Sequence, residues 1–107
     1  MAEEHKLSGA DRKRARMREL NQETSKIPWL EMQKFFASGS TIFVNEELDL
    51  VETAAELSLD NKAALEHWMY QGKVAPVNDE QAKLWLAHDT VVWAVVIAPW
   101  VLVQPVK

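Results

Sequence analysis

Imidazole, carboxylate and hydroxyl groups are this chain's candidates for catalysis, and its 107 residues contain no cysteine. That removes thiolate nucleophiles, thiolate zinc sites and disulfides together. The imidazoles are His5, His67 and His88. Glu66 and His67 are adjacent, which sets them about 100° apart on a helix, and no His-Glu-x-x-His metal motif occurs. His88-Asp89 has the composition of a general base beside an orienting carboxylate. The pair falls where a helix should end, and there the helix dipole favours a protonated imidazole without any catalysis. The candidate hydroxyls Ser38, Ser40 and Thr41 lack a Gly-x-Ser-x-Gly elbow. Ser38-Gly39-Ser40-Thr41 runs from helix to strand, the reverse of a phosphate loop, and reads as a turn. An enzyme or ligand binder would need a cleft in which His88 and Asp89 meet Glu52, Glu56 or Ser40.

Asp49, Glu52 and Glu56 fall at i, i+3 and i+7 on one helix face, just after Glu46 and Glu47. Like charges at that spacing repel mildly. They are candidates for a hard cation or a basic partner, but the glycine turn and loop carbonyls of a calcium loop are missing. A solvated face accounts for them with fewer assumptions. The opposite charge gathers at Arg12, Lys13, Arg14, Arg16 and Arg18. Residues 1–26 carry 7 basic and 5 acidic side chains, net +2, whereas 27–107 carry 5 and 11, net −6. The basic run is a candidate phosphate-contacting arm. Asp11–Arg14 and Arg16–Glu19 are spaced to pair within a helix, and the acidic body repels phosphate. Nucleic acid is therefore the weaker expectation.

Five tryptophans in so short a chain are its most unusual feature. Aromatic rings dominate both cores and interface hot spots. Trp68 and Trp85 fall on apolar helix faces and are expected in the core. Trp29, Trp93 and Trp100 are candidates for a subunit contact, because a small domain has few helices to cover two apolar sheet faces. The simplest partner is a second copy.

The elements that must hold these groups follow from pattern. Residues 1–9 read as disordered, and 10–24 have helix formers but a thin apolar face, so 1–26 form an extension ahead of a single domain at 27–107. Pro28 suits a helix start, Gly39 a helix end, and Thr41-Ile42-Phe43-Val44 a short strand. Asp49 should cap a helix reaching Leu59, and Asp60 a third helix burying Ala64, Leu65, Trp68 and Met69 and stopping at Gly72. A strand at 73–77 belongs at an edge because of Pro76. Asn78 and Gln81 have capping-box spacing and open a helix burying Ala82, Trp85 and Leu86.

Residues 91–103 decide the architecture. Both alternating faces are apolar, the signature of a strand covered on two sides, with Pro99 breaking the run in two. The expected fold is α+β, with about four short helices packed on a small mixed sheet and the C-terminal strands central. The run is too short to cross a bilayer as a helix. The polar start lacks the apolar core of a signal peptide, so the expected setting is cytoplasmic, with no membrane contact. No cofactor motif is present.

Ile27-Pro28-Trp29, Phe35-Phe36, Leu48-Asp49-Leu50-Val51, Asp60-Asn61-Lys62, Ala75-Pro76-Val77, Asp79-Glu80-Gln81-Ala82, Trp93 and the closing Ala98-Pro99-Trp100-Val101-Leu102-Val103-Gln104 occur in order. Together they resemble a family of short bacterial proteins known only as a domain of unknown function. The resemblance spans 20–104 and leaves the Arg-rich segment outside. It implies a bacterial, cytoplasmic protein with no reaction to assign. The resulting expectation is a non-enzymatic interaction or assembly protein acting as a homodimer, possible protein partners remaining unidentified. A small enzyme near His88 and a nucleic-acid arm at 12–18 are the alternatives.

Overall fold

The computed structural model describes residues 8–107. The expected disorder at 1–9 falls outside them except at Ser8 and Gly9, which open the first helix, α1 (Gly9–Glu23). The Ser8 hydroxyl accepts from the Asp11 N–H while the Asp11 carboxylate accepts from the Ser8 N–H, satisfying two otherwise orphaned donors. Those bonds, with Arg14, hold the Asp11 carboxyl below its ordinary pKa. A depressed folded value means that this cap stabilises above the usual carboxylate range and releases as pH falls through the lowered pKa. The thin apolar face of α1 suffices because Leu20 is completely buried beneath it, beside Met17.

The chain then adds β1 (Ser25–Pro28), a 3-10 turn (Trp29–Met32), α2 (Gln33–Ala37), β2 (Thr41–Val44), α3 (Leu50–Ser58), α4 (Lys62–Tyr70), β3 (Val74–Pro76), α5 (Asp79–Ala87), β4 (Val91–Ile97) and β5 (Trp100–Pro105). The five strands form one sheet in the order β1-β4-β5-β2-β3. β2 and β5 run parallel and the other neighbours antiparallel, so the sheet is mixed, with the C-terminal strands inside it. Ala98 and Pro99, joined by a cis peptide, turn β4 into β5.

The alternation in 91–103 builds two cores. Val92, Ala94, Val101 and Val103 face the 3-10 turn, α2 and α5, where Trp29, Met32 and Trp85 fill the layer. Val95 and Leu102 face α1 and α3, against Leu20, Leu50, Ala54 and Ala55. Helices thus cover both faces of the sheet. Asp49 caps α3 by accepting from the Glu52 N–H, and Asn78 with Gln81 forms the anticipated capping box of α5. Pro76 lies on the edge strand β3.

Several expectations need correction. Among the described residues there are five α-helices where about four were expected. β1 has no β-branched run and forms because β4 offers it an unpaired edge. Asn61, not Asp60, caps α4: Asp60 adopts φ 60°, and the Asn61 side chain accepts from the Ala64 N–H. α4 was expected to bury Ala64, Leu65, Trp68 and Met69, yet no residue on it is buried, and Met69 is 55% exposed. The helix packs on α3 and the short edge strand β3, and that narrow support leaves its apolar stripe half uncovered.

Candidate functional site

Trp29 is completely buried, which removes it as a subunit contact. Its backbone N–H donates to the Thr90 carbonyl (2.8 Å), pulling the ring beneath the sheet. There it meets Trp85 edge to face at 4.9 Å and Phe36 at 5.8 Å. The buried indole N–H has no acceptor among the described residues, and such edge-to-face packing is a setting in which an N–H can meet an aromatic face.

His88 is the exposed C-cap of α5, and Asp89 follows in the left-handed region at φ 50°. Among the described residues the imidazole makes no hydrogen bond to Asp89 or to any other side chain. α5 packs on one face of the sheet and α3 on the other, so Glu52 and Glu56 cannot join His88 in one cleft. Ser40 is paired with Ser38. The proposed constellation does not assemble.

The carboxylates of α3 have a cation of their own. Lys13 on α1 places its ammonium 2.7 Å from Glu52 Oε2 and 3.5 Å from Glu56 Oε1. Glu56 is only 8% exposed and also accepts from the Asn61 amide, so this face is a helix contact where a solvated one was expected. Chiefly through the hydrogen bond to Glu52, the Lys13 pKa is raised, and its charge persists well beyond neutral pH. Asp49 is occupied as the cap of α3, away from that pair. A metal at Asp49, Glu52 and Glu56 would have to displace both arrangements.

Three of the five basic side chains in the run are engaged in ion pairs. Arg14 pairs with Asp11 and Arg16 with Glu19, as their spacing suggested, and Arg16 also donates to the Ser58 hydroxyl at 3.0 Å. With Lys13 engaged as well, Arg12 and Arg18 are left exposed and without an ion pair among the described residues. Two free charges are a slender electrostatic footprint for phosphate.

The remaining tryptophans mark two concavities on the α1–α3–α4 side of the sheet. Trp93 is half-buried, with the Lys26 ammonium 5.0 Å from its ring centre, because Lys26 and Trp93 are paired across β1 and β4. Trp100 is 39% exposed at the hairpin end. It edges a groove of about 340 Å³ between the sheet, α3 and α4, walled by Ile42, Leu57, Leu65, Met69 and Leu102. No charged side chain lines it, and its floor hydroxyl, Thr53, already donates to the Asp49 carbonyl. Tyr70, the last residue of α4, is 92% exposed. This groove is the counterpart of the half-uncovered helix α4. Its wall residues were missed in the sequence because a helix with apolar positions at core spacing reads as fully packed.

Three comparisons place the chain among known proteins. A family model described as a protein of unknown function (DUF2288) matches residues 16–105, which extends the anticipated range and takes in Arg16 and Arg18. Among solved structures, the chain is similar to the NMR solution structure of PA1075 from Pseudomonas aeruginosa. The two are 35% identical, with 96% of this chain and 91% of that chain covered and a TM-score of 0.76. No curated protein matches.

Proposed function

We propose that this chain, which belongs to the DUF2288 family of proteins of unknown function, is a bacterial cytoplasmic interaction protein. It runs no reaction of its own and works as a homodimer closed over the groove beside Trp100. The observation that carries this reading is the groove itself, a concave and uncharged apolar surface edged by exposed Trp100 and Met69. Contiguous apolar surface of this kind marks contact sites, and tryptophan is among the residue types enriched at their hot spots.

A second copy suits it for two reasons. A two-fold contact must be self-complementary, and here the exposed side chains Trp100 and Met69 and the recess they line lie side by side on one patch. The chain carries net charge −4, so like copies approach best where the surface has no charge, as in this groove. Sedimentation velocity over a dilution series tests the idea. Twice the chain mass at micromolar concentration, reverting to single mass on dilution, is expected. A single-mass species at every concentration removes it.

A further inference from the structure

We infer that Pro76 is a guard residue. It closes the open edge of β3 to strand addition, and so holds two copies of this chain to side-chain contact over the groove. The second half rests on the dimer reading above, and the first stands on backbone register alone.

Register fixes which way Pro76 faces. β3 pairs with β2 alone and is the last strand of the sheet. The Asn45 N–H donates to the Lys73 carbonyl (2.8 Å) and the Val77 N–H to the Thr41 carbonyl (3.1 Å). Antiparallel ladders alternate, so Lys73, Ala75 and Val77 direct their backbone groups at β2. Val74 and Pro76 direct theirs the other way, toward the space where a further strand would add. Any other residue at position 76 would present a second outward N–H, two residues beyond that of Val74. Proline has no N–H, and its ring fills the place from which a partner carbonyl would approach.

This edge depends on its proline. Open edges are protected by charge, by bulges, by a covering element or by proline. α4 packs on β3 but leaves Pro76 exposed. Val74 and Ala75 carry no charge, and Lys73 before them is paired with Glu47 at 3.2 Å. Asp79 and Glu80 open α5, which lies on the opposite face of the sheet. Val74, Ala75 and Pro76 also line the uncharged groove, so copies meeting over it bring their β3 edges close together. β1, at the far end of the sheet, is guarded twice. The bond from the Trp29 N–H to the Thr90 carbonyl places Pro28 at the matching outward position, and Lys26, also outward, adds an exposed charge. β3 has the proline without the charge.

The experiment adds Pro76→Val to the Trp100→Glu chain, which lacks the groove contact, and compares the two by sedimentation velocity and amide-I infrared. Pro76→Val supplies the outward donor without touching any bond to β2, so circular dichroism should stay that of the parent. Trp100→Glu alone should run at single chain mass. With Pro76→Val added, the mass should shift upward and a new infrared band should report strands paired between copies. Pro76→Lys in the same parent is the control. It supplies the same donor but sets an ammonium beside the incoming strand, and should remain single. If Pro76→Val loses its native circular dichroism, Pro76→Ala carries the same donor with a smaller side chain and is read in its place. Single mass after the donor is supplied overturns the inference. So does equal association of the Pro76→Lys chain, which would mean a damaged fold and not an opened edge. If Trp100→Glu alone is already paired, the groove reading falls, and the guard is still decided by whether Pro76→Val raises the mass further.

Discussion

Trp29→Ala is expected to unfold much of the population at body temperature, while Trp100→Ala leaves the monomer's melting point almost unmoved. The two rings share a chemistry and differ in place. Trp29 is completely buried, with Trp85, Phe36 and Met32 in the same core and the sheet above it. Removing a buried tryptophan costs about 3–5 kcal/mol through lost transfer and the cavity left behind. A domain of this size is stable by only about 5–15 kcal/mol, and the melting temperature should fall by on the order of 20 °C. Trp29→Phe isolates the cause. It keeps most of the volume and removes an indole N–H that has no acceptor among the described residues, so its cost should be far smaller. Thermal melts by circular dichroism on dilute, monomeric protein check both, and a marginal loss in Trp29→Ala would mean the core is not closed around this ring.

Trp100→Glu should separate the homodimer without unfolding the chain. Its side chain is partly exposed beside a groove without charge, so a carboxylate there remains solvated in the monomer and is buried unpaired in the dimer. Hot-spot truncations cost about 2–4 kcal/mol, equivalent to a 30- to 1,000-fold weaker dimer, and an added charge increases that. Circular dichroism should match the wild type, while sedimentation should show single chain mass where the wild type is paired. A Trp100→Glu protein that still dimerises would move the contact elsewhere on the surface.

Backbone-level features were the legible ones. The twofold apolar alternation of residues 91–103 and the interruption at Pro99 correctly placed two central strands, because side-chain period in a strand is fixed by covalent geometry. The caps at Asp49 and Asn78 were equally readable, since each acts over three residues. What escaped depends on neighbours distant in sequence. Ser25-Lys26-Ile27-Pro28 becomes a strand only because β4 has a free edge, and nothing local announces it. α4 carries apolar residues at core spacing but lies over a narrow edge strand, so pattern alone predicted burial that the fold does not supply. Lys13 likewise meets Glu52 and Glu56 across 39 and 43 positions of sequence, a pairing that only docking of α1 on α3 reveals. The final Trp100-to-Gln104 stretch links both concavities: Trp100 edges the groove, and Gln104 pins the loop beside Trp93 by donating to the Asn45 and Leu48 carbonyls.

The most direct measurement of the central claim mixes isotope-labelled and unlabelled chains and records only nuclear Overhauser contacts between different copies. Self-association over the groove predicts intermolecular contacts from the Trp100 ring to the methyl groups of Met69 and Leu65. A paired species whose intermolecular contacts lie wholly away from Trp100, or no intermolecular contact at high concentration, would contradict it.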